Sequence, residues 1–351
     1  MNKIEVGVLG ATGMVGQQFI RFLEGHPWFQ LTWLGASERS SGKLYRDAAK
    51  WNLSGTAPAH IAAIEVSTAQ PDAAKSIPKL LFSAMDASVA KEIERAFAQA
   101  GHIVVSNSRN HRMEPDVPLL VPEVNADHLA VIDAQRRRFG WRGAIVTNPN
   151  CSTVTLTMAL GPLKQFGIKR IVATTMQAVS GAGYPGVPSM DILGNVVPYI
   201  GNEEEKMEEE TQKILGTVSG DRIVSLDARL SAHCNRVAVI DGHTLAVSVE
   251  LAARLSSSEI IEAMNSFRGV PQNMNLPSAP AQPVHYMEEP DRPQPRRDAE
   301  RERGMACFVG RLRPCPVLDW KFVALAHNTI RGAAGAAVLN GELMYAQGLL
   351  G

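Results

Sequence analysis

At 351 residues and 45% hydrophobic content, the chain has enough apolar material for two domains with their own cores. Its 35 Lys and Arg match 35 Asp and Glu, which argues against nucleic acid or an anionic membrane as a partner and favours a small molecule. Four scattered cysteines, Cys151, Cys234, Cys307 and Cys315, contain no Cys-x-x-Cys, so neither a disulfide framework nor a zinc site is expected. The first residues run directly into a strand pattern without the zones of a signal peptide, and no apolar run reaches membrane-spanning length. The expectation is a cytoplasmic protein.

Residues 5–9 read as a short apolar strand, 14–24 carry helical spacing, and 31–36 form a second strand, the rhythm of a parallel sheet. Further buried strands are expected at 80–83, 103–106 and 144–147, with a helix over 88–100. From Cys151 the texture changes. A helix over 152–166 is followed by a strand over 169–179, an acidic helix over 202–215, and two antiparallel strands at 235–240 and 244–251. Such a mixture predicts an α+β second domain. Seven prolines between 271 and 295 exclude a continuous helix or central strand, so 271–303 is expected to be a solvated surface excursion. Strands return at 305–312 and 320–326, and a loop at 327 leads into an apolar helix over 332–346.

Gly10-Ala-Thr-Gly-Met-Val-Gly16 sits after the first strand and opens the first helix, where a dinucleotide fingerprint belongs. Glycines there permit a tight turn, a close approach to a pyrophosphate and helix–strand packing, although the spacing is Gly-x-x-Gly-x-x-Gly. At the end of the second strand, Ser37, Arg39, Ser40 and Ser41 suit a 2′-phosphate, so NADP is favoured over NAD. Glu38 is the dissonant residue.

Cys151 stands between a strand end and a helix start, with Asn150 before it and Ser152 and Thr153 after it. The positive end of a helix dipole lowers a thiol's pKa, and free N–H groups there can hold an oxyanion. A thiol nucleophile also needs an acid/base partner. His243, in the predicted turn Asp241-Gly-His-Thr244, is the attractive one of nine histidines, but spacing pairs none of them with Cys151.

These residues resemble the aspartate-semialdehyde dehydrogenase family, in its fungal and archaeal branch, over nearly the whole chain. The resemblance rests on the glycine loop, Ser106-Asn-Ser-Arg109, Asn148-Pro-Asn-Cys-Ser-Thr153, Gln177-Ala-Val-Ser-Gly-Ala-Gly183, Glu203-Glu-Glu-Lys206, Arg236 seven residues before His243, and the stretch 328–335. It implies an α/β fold: a Rossmann-type dinucleotide-binding domain (1–148 with 327–351) and an α+β catalytic and dimerisation domain (149–326), as in glyceraldehyde-3-phosphate dehydrogenase. The activity implied is NADP-dependent reductive dephosphorylation of 4-phospho-L-aspartate to L-aspartate 4-semialdehyde, a step toward lysine, methionine, threonine and isoleucine.

By the same resemblance, Cys151 is the nucleophile, His243 the general acid/base, and Gln177 orients the substrate or thioester. Arg236 takes the substrate α-carboxylate, and Glu203 its amino group, with Glu204 an open alternative. Arg109 and Lys206 bind the acyl phosphate or inorganic phosphate. Gly10, Thr12, Gly13, Met14 and Val15 hold the cofactor phosphates, and Ser37, Ser40 and Ser41 the ribose phosphate. Ser83 and Asn107 reach the ligand crevice, and Ser180, Gly181 and Asn328 lie near the nicotinamide. A homodimer or homotetramer is expected from the apolar face that the second-domain sheet exposes. Two other readings stay open: an enzyme like N-acetyl-glutamyl-phosphate reductase, and a non-catalytic NADP-binding sensor.

Overall fold

Six short strands, β1 (Ile4–Leu9), β2 (Phe29–Ala36), β3 (Ser67–Thr68), β4 (Leu80–Ser83), β5 (Ile103–Ser106) and β6 (Ala144–Thr147), form a parallel sheet in the order β3-β2-β1-β4-β5-β6. They are seen in a computed structural model that describes residues 3–73 and 76–350. Alternate residues enter opposite cores: Val6, Val8, Leu80 and Phe82 on one side, Leu9, Leu81, Val104 and Ile145 on the other. Both faces are dry, which is why these segments read as unbroken apolar runs.

Strand order reverses at β1, and such a switch point opens a crevice at the carboxyl ends of the strands beside it. There the chain turns at Gly10 (φ +73) into helix α1 (Met14–Leu23). A Cβ on Gly10 would lie 2.6 Å from the Ala84 carbonyl oxygen, and one on Gly16 2.3 Å from that of Gly10. Only glycine fits at either position.

Helix α2 (Cys151–Leu160) joins the two halves and is buried from Ser152 to Leu160, packed on the inner face of a second sheet. It ends earlier than expected, because Gly161 and Pro162 turn the chain into a tight 3-10 segment, Gly161–Phe166. The second sheet is built from β7 (Ile168–Gln177), β10 (Arg229–Arg236), β11 (His243–Leu251), β12 (Val284–Met287), β13 (Cys307–Pro314) and β14 (Trp320–Ala326), in the order β10-β7-β11-β14-β13-β12. A small hairpin, β8 (Thr217–Ser219) with β9 (Arg222–Val224), stands apart after helix α3 (Glu203–Ile214). Helix α4 (Gly335–Ala346) returns to the first sheet, where Val338, Leu339 and Leu343 share the core of Val6 and Phe82.

Two expectations need correction. The strands placed at 235–240 and 244–251 are not paired with each other. The first strand runs Arg229–Arg236, residues 237–242 form a bent connection, and β10 and β11 flank β7, parallel and antiparallel to it respectively. Local alternation showed that both segments were strands but carried no information about the third strand between them. The proline-rich 271–303 stretch is not a solvated loop either. Val284–Met287 is an edge strand, Pro271, Leu276, Pro283 and Pro293 are buried, and the Ser278 N–H donates to Glu342 of α4 at 3.0 and 3.1 Å. Proline's missing donor bars it from a sheet's centre, not from an edge.

The outer face of the second sheet is mixed, with Val172 and Met176 exposed beside Arg170, Ser231 and His233. Among the described residues no helix is long and apolar enough to cross a membrane, and no cluster of His, Cys, Asp or Glu is arranged to hold a metal ion.

Candidate active site

Helix α2 begins at Cys151 because Asn150 caps it. The Asn150 Oδ1 accepts from the Ser152 and Thr153 N–H groups at 2.9 and 3.3 Å. Asn150 is held in turn by α3: its N–H donates to Glu210 Oε2 at 2.7 Å, and its Nδ2 to Glu203 Oε1 at 2.8 Å. The capping bonds engage the Ser152 and Thr153 N–H groups, two of those at the helix start.

Strand register assembles the rest. In the parallel β7–β10 pair Arg236 lies opposite Gln177, and in the antiparallel β7–β11 pair Thr244 lies opposite Met176, which brings His243 to the same sheet end. His243 Nε2 sits 3.1 Å from Cys151 Sγ. Its Nδ1 accepts from the Ala178 N–H at 3.1 Å, and the Ala178 carbonyl accepts from Arg236 Nη1 at 2.8 Å, so the backbone of one residue orients both side chains. With Nδ1 acting as acceptor, the neutral ring carries its proton on Nε2, facing the sulfur. Gly181 closes over the pair. A Cβ there would lie 2.9 Å from Arg236 Nη1 and 3.1 Å from His243 Cε1.

Burial, and next the Arg236 guanidinium, push His243 down to about 3. Burial and Glu203 push the Cys151 thiol up to about 12, with Arg236 and Arg112 pulling the other way. Both shifts favour a thiol beside a neutral imidazole in the ligand-free site. Burial likewise lowers His128 to about 4. Between these values and 6.5 the unfolded chain binds more protons than the folded one, so stability is present above 6.5 and lost as pH falls through the window. Thermal melts of the ligand-free protein should give a lower Tm at pH 5 than at pH 7. A Tm that rises on acidification contradicts these assignments.

Glu203 is buried beside Asn150, with Lys206 Nζ 3.4 Å from its Oε2, whereas Glu204 Oε1 accepts from the Cys234 N–H at 2.9 Å and so belongs to the edge of β10. Gln177 is buried at the end of β7, its Nε2 3.3 Å from Thr175 Oγ1. Arg109 is exposed, near Asp86, and is not among the residues lining the cysteine cavity. Arg112, three residues on, is buried and lines that cavity. Its Nη1 donates to Glu210 Oε1 and its Nη2 to the Asn107 carbonyl, both at 2.8 Å. Among the described residues its Nε finds no acceptor. Sequence reasoning assigned no role at the site to Arg112 or Glu210. The available signal was spacing, since Glu210 follows Glu203 by two helical turns and shares its face.

The cavity at Cys151 holds about 320 Å³ and is lined by Met14, Val15, Asn107, Ser180, Gly181 and Asn328, among others. Asn107 Oδ1 accepts from Asn148 Nδ2 at 3.0 Å. Ser83 does not reach the cavity with its side chain: it is buried, and its hydroxyl donates to Glu94 at 2.6 Å. Thr12 and Gly13 lie in the turn before α1, and Ser37, Ser40 and Ser41 on the loop after β2, with Ser37 and Glu38 exposed. A dinucleotide fits this arrangement. The start of α1 has no side-chain cap and no acidic residue in its first turn, so its N–H groups are available to a diphosphate.

A doubly wound nucleotide fold that sets a capped cysteine against a histidine at the end of a mixed sheet defines a class: nicotinamide-dependent aldehyde dehydrogenases that work through a thioester. The comparisons agree. Residues 5–132 match the semialdehyde dehydrogenase NAD binding domain, and 160–331 the semialdehyde dehydrogenase dimerisation domain. The aspartate-semialdehyde dehydrogenase of Methanothermobacter thermautotrophicus is 51% identical over 97% of this chain and 99% of its own, and that of Schizosaccharomyces pombe 47% identical over 99% of each. The crystal structure of the Candida albicans enzyme with NADP superposes with a TM-score of 0.92 at 43% identity, covering 99% of this chain and 100% of that one. The chain belongs to the aspartate-semialdehyde dehydrogenase family. Its dimerisation domain makes it a homo-oligomer.

Proposed function

We propose that this chain reduces 4-phospho-L-aspartate to L-aspartate 4-semialdehyde through a thioester on Cys151, with NADPH as reductant. The observation that carries the reading is the 3.1 Å approach of His243 Nε2 to Cys151 Sγ at a capped helix start, in a chain of this family. Residues 1–148 with 327–351 hold NADP, and 149–326 carry the chemistry and the subunit contact of a homodimer or homotetramer. Gly10, Thr12, Gly13, Met14 and Val15 are assigned to the cofactor's diphosphate, and Ser37, Ser40 and Ser41 to its 2′-phosphate.

Cys151 sulfur bonds to the acyl carbon, the C–O bond to phosphate breaks, and the thiol proton is balanced by the proton that the released phosphate carries. Arg236 fixes the α-carboxylate by a two-pronged contact, and Glu203, buried against Asn150, receives the amino group. Gln177 steadies the acyl group beside the sulfur. Bound NADPH supplies the hydride that reduces the thioester. His243 Nε2–H hydrogen-bonds to the developing oxyanion without giving up its proton, the oxyanion re-forms the carbonyl as the C–S bond breaks, and the departing sulfur regains a proton from solvent. The free amino group of the substrate is what separates this reaction from that of N-acetyl-glutamyl-phosphate reductase. A buried Glu203 favours the former.

The phosphate is assigned to Arg112 with Lys206, in place of Arg109. Arg112 lines the cysteine cavity with an Nε that has no partner among the described residues, whereas Arg109 faces solvent. In the reverse direction, Arg112→Ala should raise KM for phosphate by about tenfold or more, the effect of losing a charge-assisted contact, and Arg109→Ala should leave it within about twofold. The opposite ranking returns the role to Arg109. The reaction itself is tested by NADP reduction with L-aspartate 4-semialdehyde, with and without phosphate, and by Cys151→Ala. Phosphate-independent turnover, preference for the N-acetylglutamate analogue, or unchanged activity of Cys151→Ala would overturn the assignment.

A further inference from the structure

Four chain segments meet over His243: the loop after β7, the bent connection after β10, the start of β11 and the residues after β14. Two backbone bonds strap the first to the second, Val179 N–H to the Val239 carbonyl at 2.8 Å and Ser180 N–H to the Ile240 carbonyl at 3.2 Å. Asn328, buried two residues beyond β14, completes the junction. Its Oδ1 accepts from the Gly242 N–H at 2.8 Å, and its Nδ2 donates to Ser180 Oγ at 2.7 Å. The peptide N–H of Gly242 can only donate, so the orientation of the amide is determined, and Ser180 Oγ is left as its acceptor.

Each arm of this amide ends one residue from a group that touches the acid/base. Gly242 directly precedes His243, and its φ of +95 commits the turn to a backbone shape that other residues resist. Ser180 directly precedes Gly181, whose bare Cα packs on both His243 and Arg236. We propose that Asn328 is a positioning residue for the acylation of Cys151. It holds the His243 ring against Sγ through Gly242 on one side and through Ser180 and Gly181 on the other, before any cofactor is needed. The proposal rests on the roles assigned above to Cys151 and His243.

Acylation can be followed alone. Mixed with 4-phospho-L-aspartate and no NADPH, the full-length enzyme should release up to one equivalent of phosphate per active site in a rapid-quench burst. Asn328→Ala loses both bonds and should slow the burst by about tenfold or more. Asn328→Asp offers one oxygen to the Gly242 N–H and another to the Ser180 hydroxyl, so its burst should stay within about threefold of wild type. That rescue separates positioning from mere stability, because both variants disturb the same buried site. A wild-type burst with Asn328→Ala just as fast overturns the proposal, as does Asn328→Asp slowed as much as Asn328→Ala. No burst from the wild type would instead remove the thioester reading on which it stands.

Discussion

Gly332→Ala should lower kcat/KM by about a hundredfold or more while the protein remains folded. The added Cβ would lie 2.6 Å from Cys151 Cβ and 3.0 Å from its Cα, distances that demand a shift of the nucleophile's own backbone. Cys151 has little freedom to yield without cost, because Asn150 pins the helix start through three side-chain bonds and one main-chain bond. A displacement near 1 Å at a reacting centre costs on the order of a hundredfold in rate. Sγ would move off the line to His243, so the loss should fall on acylation and on alkylation of Cys151 by iodoacetamide together. Wild-type kinetics for this variant would show that the helix start and the Ile330–Ala334 turn can slide apart without harm.

Arg331→Met should destabilise the fold by about 3–5 kcal/mol, the size expected when one partner of a buried ion pair is removed. Arg331 and Glu123 are both wholly buried. The guanidinium meets the carboxylate with two parallel bonds, at 3.0 and 2.5 Å, and its Nη2 also approaches Met158 Sδ of α2 at 3.2 Å. The substitution leaves the Glu123 carboxylate without its counter-charge inside the protein. Glu123→Leu combined with Arg331→Met removes both charges and should recover most of the loss. Urea unfolding of the two variants decides the matter. A loss below ~1 kcal/mol for Arg331→Met would reduce the pair to the worth of an exposed one. Arg331 is also the neighbour of Gly332, so the same short turn anchors the interior and abuts the nucleophile.

Much of the first half was legible from local pattern. The strands at 80–83, 103–106 and 144–147 coincide with β4, β5 and β6, because short apolar runs bounded by turns need no distant partner to be recognised. The glycine turn into α1 and the capped start of α2 were equally readable. Their physics is confined to a few consecutive residues: a positive φ at Gly10, and an Asn150 side chain bonded to the next two N–H groups.

The second sheet was not legible in the same way. That 229–236 and 243–251 are separated by β7 depends on pairings across some 60 to 80 residues, and periodicity within a segment reports which face is apolar, not which strand lies alongside. The convergence of Arg236 and His243 on Cys151 follows from that register. The choice between Arg109 and Arg112 is of the same kind. Both occupy one loop with similar neighbours, and only a carboxylate 98 residues away, Glu210, draws Arg112 inward. Residue chemistry and short-range conformation were thus written in the chain order, including a cysteine at a helix start and glycines at a nucleotide turn. Which charged groups face that cysteine was settled by strand register and helix packing, because burying a charge requires a partner and the partners here come from distant parts of the chain.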